Sequence, residues 1–191
     1  MSLPLITAGR ILNLNIYLVE HNHVLGRANR FFLRSCKKVF CYTDQIKNYP
    51  NKFKDKMVII NPLVSEQIYK CKSNVNDKKR FNILIVGGSQ SASIFNDNLK
   101  ESIVKLSKKK LIKVFQQTNA KNILSLKDFY SKNNVENNIF SFEKNFDKIL
   151  NQVDLCITRA GASTLAELSV LNVPFIAVPL PTSKDNHQFE N

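Results

Sequence analysis

The stretch Ile83-Leu84-Ile85-Val86-Gly87-Gly88-Ser89-Gln90 is an apolar run that breaks at two glycines and opens into an amphipathic segment. Consecutive apolar residues without polar alternation fit a strand covered on both faces, as the strands of a parallel sheet are. The glycines let the backbone come close to a ligand. A helix beginning just beyond them offers free amides and a positive dipole end to phosphate oxygens. The spacing is neither the dinucleotide fingerprint nor a Walker loop, and a plain tight turn also fits it.

Working outward from this strand (Ile83 to Val86), the pattern predicts a helix from Ser91 to Leu106, a strand from Leu111 to Phe115 and a helix near Ile123 to Tyr130. A strand from Ile139 to Phe142, a helix from Phe146 to Val153, a strand from Leu155 to Thr158, a helix from Thr164 to Leu171 and a strand from Phe175 to Val178 follow. Strands alternating with helices need crossover connections, so the fold class is α/β with a parallel, doubly wound, Rossmann-like sheet. In the first helix Ala92, Phe95, Leu99, Ile103 and Leu106 recur at spacings of three and four, one stripe facing a core.

Before this domain the rhythm is thinner. Apolar runs at Ile16 to Val19, Lys38 to Cys41 and Met57 to Ile60 read as strands, with a helical stretch between Gly26 and Cys36. Residues 65–80 are polar and charged and read as a linker, which divides the chain into an incomplete first domain (1–64) and a second domain (81–191) cut short at its end. Three strands are too few to make a sheet covered on both faces.

The chain has 191 residues, 43% of them hydrophobic, enough for one full domain and part of another. No stretch approaches the roughly 20 apolar residues of a membrane span. Met1-Ser2-Leu3-Pro4 lacks the basic region and apolar run of a signal peptide, so a cytosolic chain is expected. Cys36, Cys41, Cys71 and Cys156 form no Cys-x-x-Cys pair and read as reduced structural thiols. A net charge of +13 suits nucleic acid, anionic membrane or phosphate-bearing substrates. The wealth of Asn, Lys and Ile typical of AT-rich genes accounts for lysines scattered along the chain. Clustered charge is a different matter: Arg27, Arg30, Arg34 and Lys37 recur at helical spacing and suit an anionic lipid surface or a solvated face.

A second strand-loop-helix unit lies at Ile157-Thr158-Arg159-Ala160-Gly161-Ala162-Ser163-Thr164-Leu165-Ala166-Glu167-Leu168. Small residues leave room for a diphosphate over the helix terminus, and Glu167 has two readings. It suits ribose hydroxyls, and Thr164-Leu165-Ala166-Glu167 is also a capping box in which Glu167 serves only the helix. His21, His23 and His187 have no carboxylate or thiol cluster around them and read as ordinary polar residues. Aromatics interleaved with basic residues at base-stacking positions, as nucleic-acid binding asks for, are not the pattern here.

Taken in order along the chain, these segments resemble the GT-B glycosyltransferases of peptidoglycan synthesis, which make lipid II from lipid I. Ser2-Leu3-Pro4 with Ala8, Glu20-His21-Asn22 with Gly26 and Asn29, Asn61-Pro62, Gly87-Gly88-Ser89-Gln90, Arg159 through Leu168, Val178-Pro179-Leu180-Pro181 and Asp185-Asn186-His187-Gln188 with Asn191 carry the likeness. The sequence departs from the family pattern at Val19, His21, Val64 and Ser91. The resemblance implies an inverting transfer of N-acetylglucosamine from UDP-N-acetylglucosamine to lipid I, without cofactor or bound metal, at the cytoplasmic face of the bacterial inner membrane. It implies that Ser89 and the amides near Ala162, Ser163 and Thr164 hold the diphosphate, and that Glu167 holds the ribose. Phe142 would cover the uracil and the backbone of Glu143 read its edge, while Gln188 and Asn22 would contact the sugar. The catalytic base is expected in a glycine-rich loop preceding Met1. Another GT-B enzyme using a UDP-sugar, or a noncatalytic UDP-sugar-binding subunit, shares the same features.

Overall fold

The computed structural model describes residues 3–70, 79–87, 92–181 and 187–191. The chain divides into two compact units: Met1–Leu63 with Gly161–Ser163 and Pro179–Asn191, and Val64–Ala160 with Thr164–Val178.

The first unit opens with helix α1 (Leu3–Ile11), followed by β1 (Tyr17–Glu20), α2 (Arg27–Phe32), β2 (Lys38–Cys41), a 3-10 helix (Asn51–Lys56) and β3 (Met57–Ile59). The strands form a parallel sheet in sequence order, with Leu18 beside Val39 beside Met57 and Val19 beside Phe40 beside Val58. Alternation decides the packing. Leu18, Val39 and Cys41 turn inward to meet Leu25, Phe32, Leu33, Ile46 and Tyr49 in one core, while Tyr17 and Val19 remain exposed. Lys56 Nζ donates to the carbonyls of Leu33 at 2.8 Å and Cys36 at 2.7 Å, placing a cation on acceptors at the end of α2.

The second unit begins with α3 (Glu66–Lys70) and continues β4 (Phe81–Val86), α4 (Ala92–Ser107), β5 (Ile112–Gln117), α5 (Ile123–Lys132), β6 (Glu136–Phe140), α6 (Phe146–Leu150), β7 (Leu155–Arg159), α7 (Ala162–Val170) and β8 (Phe175–Val178). The sheet is parallel, in the order β6-β5-β4-β7-β8. Successive residues of β4 feed opposite cores: Ile83 and Ile85 pack with Phe95, Ile103, Leu126 and Tyr130, and Leu84 and Val86 pack with Ile149, Leu150, Cys156 and Leu168. The unbroken apolar run is thus a strand covered on both sides, each buried aliphatic contributing about 1.5–3 kcal/mol.

Several boundaries differ from the expectation for physical reasons. Residues 66–70, read as linker, form α3 because Ile68 finds the core and is 4% exposed. The strand expected to reach Phe142 stops at Phe140, paired with the last residue of β5, Gln117. In α4 the stripe holds at Phe95 and Ile103, but Leu106 in the last turn is 37% exposed. Three helices end on asparagines with positive φ: Asn13 (56°), Asn134 (56°) and Asn172 (53°). The amides of Leu14, Val135 and Val173, each following such an asparagine, donate five residues back to Gly9, Tyr130 and Leu168. Asparagine here serves where glycine usually does.

Residues His187–Glu190 form α8 in the first unit. Asn191 Oδ1 accepts from His23 N at 3.1 Å, Asn191 Nδ2 donates to Asn22 Oδ1 at 3.2 Å, and Lys47 pairs with Glu190 at 2.6 Å. These bonds join α8 to the segment after β1.

Candidate functional site

In an open parallel sheet the crevice lies beyond the carboxyl ends of the strands, where the strand order reverses. Here the chain runs from β4 outward through β5 to β6, then returns to β7 on the other side of β4. The reversal lies between β4 and β7, whose last paired residues are Val86 and Thr158. The two loops singled out in the sequence, after Val86 and after Arg159, therefore leave adjacent strands at the same edge.

Beyond β7 the chain passes through Gly161, where an added Cβ would meet nothing within 4 Å, and enters α7. Because α7 opens at Ala162, Thr164 lies in its first turn and not at its N-cap. The capping box needs Thr164 in the cap position, so that reading of Glu167 does not hold. Glu167 is half-buried, and burial raises its carboxyl above the ordinary carboxylate range.

Arg159, 8% exposed, ends β7. Its Nη1 donates to Val178 O at 3.2 Å and its guanidinium lies over the Phe95 ring at 4.8 Å, so one side chain braces β7, β8 and α4 at the carboxyl edge. Behind it runs a buried polar chain. Tyr130 Oη donates to Gln116 Oε1 (2.8 Å), Gln116 Nε2 to Asn96 Oδ1 (2.9 Å) and Asn96 Nδ2 to Thr118 Oγ1 (2.7 Å), fixing α4 and α5 on β5.

Phe142 stands in the loop after β6 and is 81% exposed, so it is no core aromatic. Glu143 Oε1 accepts from Asn145 N at 2.8 Å, which shapes the entry to α6. Ser89 lies outside the described residues, as do Asp185 and Asn186 of the last motif and Cys71. The other three cysteines are free and buried; burial pushes Cys41 up to about 11 and Cys156 to about 12.

Within the first unit, sequence reasoning missed the centre of the loop after β1. Glu20 is 3% exposed, and its carboxylate accepts from Gly26 N (2.8 Å), Asn29 Nδ2 (3.0 Å), Asn22 Nδ2 (3.1 Å) and Asn22 N (3.2 Å). Four donors on one buried carboxylate make it a positioning group for Asn22. The signal was a glutamate at an inward position of a strand. Asn22 is held between Glu20 and Asn191, while His21 stacks on Tyr42 at 5.2 Å. Gln188 Oε1 accepts from Leu180 N at 2.9 Å.

The expected basic face divides. Arg30 and Arg34 join Arg10, Lys52 and the 70% exposed Phe31 around a cleft of about 620 Å³, which Arg27 and Lys37 do not line. Among the described residues no helix is long and apolar enough to cross a membrane.

Residues 82–191 match the family model of the glycosyltransferase family 28 C-terminal domain. The chain is 48% identical over 191 residues to the UDP-N-acetylglucosamine--N-acetylmuramyl-(pentapeptide) pyrophosphoryl-undecaprenol N-acetylglucosamine transferase of Pelagibacter ubique, covering 100% of this chain and 54% of that protein. To the enzyme of the same description from Rickettsia felis it is 36% identical, covering 96% and 54%. The crystal structure of Acinetobacter baumannii MurG superposes with a TM-score of 0.77 at 27% identity, over 99% of this chain and 53% of that one. The chain thus spans about half the length of the curated relatives it matches.

Proposed function

This chain belongs to glycosyltransferase family 28, and we propose that it carries the donor-binding part of the enzyme that transfers N-acetylglucosamine from UDP-N-acetylglucosamine to lipid I. The observation that carries the reading is the pair of loops at the β4/β7 reversal, one with Gly87 and one with open space at Gly161, ahead of a helix bearing a half-buried glutamate that caps nothing.

In this reading the amides of Ala162, Ser163 and Thr164 and the side chain of Ser89 receive the diphosphate, and Glu167 accepts from the ribose. Phe142 covers the uracil beside the Glu143 backbone, and Asn22 and Gln188 serve the sugar. The muramyl hydroxyl attacks the anomeric carbon, the bond from that carbon to the diphosphate oxygen breaks with inversion, and UDP leaves with the electron pair. Amides and the helix dipole stabilise the developing diphosphate charge. A base supplied from outside these residues takes the hydroxyl proton. The cleft of Arg10, Arg30, Arg34 and Lys52 beside Phe31 faces the anionic cytoplasmic leaflet, where lipid I is presented.

The test is nucleotide selectivity. UDP and UDP-N-acetylglucosamine are expected to raise the melting temperature in competition with one another, while ADP does so far less. Equal protection by ADP and UDP would remove the uracil assignment at Phe142.

A further inference from the structure

Ligands of parallel sheets bind beyond the carboxyl ends of the strands. In the first unit β1 ends at Glu20, beside Cys41 at the end of β2, and Cys41 in turn pairs with Ile59 at the end of β3. The next residue after β1, His21, and the next after β2, Tyr42, lie ring on ring, with centroids 5.2 Å apart and planes within 7° of parallel. Tyr42 Oη accepts from Leu63 N at 2.8 Å, beyond the end of β3. One side chain thus ties together the exits of all three strands. His21 is among the positions at which the sequence departs from the family pattern, so the family motif does not account for this ring pair.

The loop held in this way carries Asn22. From His21 to Gly26 the chain has no helix or strand of its own, so the place of Asn22 depends on the contacts around it. The direction of its amide is dictated by chemistry. Glu20, an ionised carboxylate, can only accept, so Asn22 turns Nδ2 toward it at 3.1 Å and offers Oδ1 to Asn191 Nδ2 at 3.2 Å. Beyond Asn22 the backbone is pinned: Lys47 N donates to His23 O at 2.7 Å and Leu25 N to Lys47 O at 3.0 Å. On the near side the ring of His21 on Tyr42 takes that part.

We infer that Tyr42 and His21 are positioning residues for recognition of the donor's sugar. Their stack holds the loop so that Asn22 meets the N-acetylglucosamine, and neither ring touches the ligand. This rests on the reading of Asn22 as a sugar contact. In the same reading the diphosphate and ribose are received by α7 and Glu167, so the stack bears on the sugar alone. A loop that loses a stacked aromatic pair spends a smaller fraction of its time in the binding geometry, and apparent affinity falls by that fraction.

The test is calorimetry on the full chain with UDP and with UDP-N-acetylglucosamine, read as the ratio of the two affinities. Tyr42→Ala and His21→Ala are each expected to lower the preference for the sugar nucleotide by about two- to tenfold, with UDP affinity unchanged. Tyr42→Phe keeps the ring and gives up only the bond to the exposed Leu63 amide, which water can replace, so it should restore the ratio. Asn22→Ala combined with Tyr42→Ala should lose no more than Asn22→Ala alone, because both act through one contact. Equal losses for the two nucleotides would make Tyr42 a structural residue and overturn the inference while the donor reading stands. A ratio lowered by Asn22→Ala but untouched by either ring variant would also overturn it. If Asn22→Ala leaves the ratio unchanged, or the unmodified chain binds neither nucleotide, the donor reading fails and takes the inference with it. Should Tyr42→Ala not fold, His21→Ala breaks the same stack from the loop side and decides alone.

Discussion

The two sheets are built from the same kind of strand, yet they differ in what surrounds them. In the second unit β4 lies between neighbours on both sides, and its alternate residues enter two separate cores. In the first unit three strands share a single core on one face. Apolar sequence is therefore no guide to burial by itself: Leu84 is fully buried and Val19, no less apolar in context, is 40% exposed. The second sheet carries its own cover, whereas the first presents a surface that another element can use.

Truncation at matched positions of the two sheets should give the largest effect. Leu84→Ala leaves a cavity between two helices and a sheet and should cost about 2–5 kcal/mol in urea unfolding. Val19→Ala on the open face should change stability by within about 0.5 kcal/mol. Similar costs at both sites would mean that the two faces are equally packed.

Next in size is Glu167→Gln, which tests whether the second unit's stability and its ligand site can be separated. Loss of charged hydrogen bonds to ribose should weaken UDP binding by about 1.5–3 kcal/mol, roughly ten- to hundredfold in calorimetry. Folding raises this carboxyl's pKa. The wild type therefore holds its full stability below the ordinary glutamate value, about pH 4.3, and loses part of it as pH rises through the raised value. The glutamine variant lacks that loss, so its melting temperature should equal or exceed the wild type's at neutral pH. A lower melting temperature with unchanged UDP affinity would make Glu167 a structural residue only.

A smaller and salt-dependent effect is expected in the first unit. Arg30→Ala with Arg34→Ala should weaken association with anionic vesicles by about 2 kcal/mol at low ionic strength, from about 1 kcal/mol per basic residue, while leaving UDP binding by the chain unchanged. If vesicle binding is unaltered, the cleft beside Phe31 has no part in lipid contact.

Much of this architecture was legible in the sequence because alternation of apolar runs and amphipathic segments survives without tertiary information. Strand Phe175–Val178 agrees with its expected bounds, and Cys156 lies buried in its strand as expected. Other features depend on partners far along the chain. Phe142 continued an apolar run, but pairing stopped at Phe140 because β5 supplied no further neighbour. Thr164 carried a capping signature, yet small residues before it let the helix start at Ala162. Asn96, Gln116 and Thr118 stand in no motif of the sequence, and their mutual hydrogen bonds explain how Gln116 is fully buried. Glu20 is the same case in the candidate site: the motif drew attention to its neighbour Asn22, while the contacts show which residue holds the other.

The bond from His23 N to Asn191 Oδ1 joins two segments of the first unit that lie 168 positions apart in sequence. During synthesis the strands around His23 leave the ribosome long before Asn191 is made, and the whole second unit emerges in between. At an elongation rate of about 5–20 residues per second, the segment after β1 waits on the order of ten seconds or more for its partner. The second unit can fold as it appears, but the first acquires this contact only after translation has passed through the other. The nascent chain must keep that early sheet from mispairing in the interval, which makes this unit the part of the molecule most dependent on the timing of its own production.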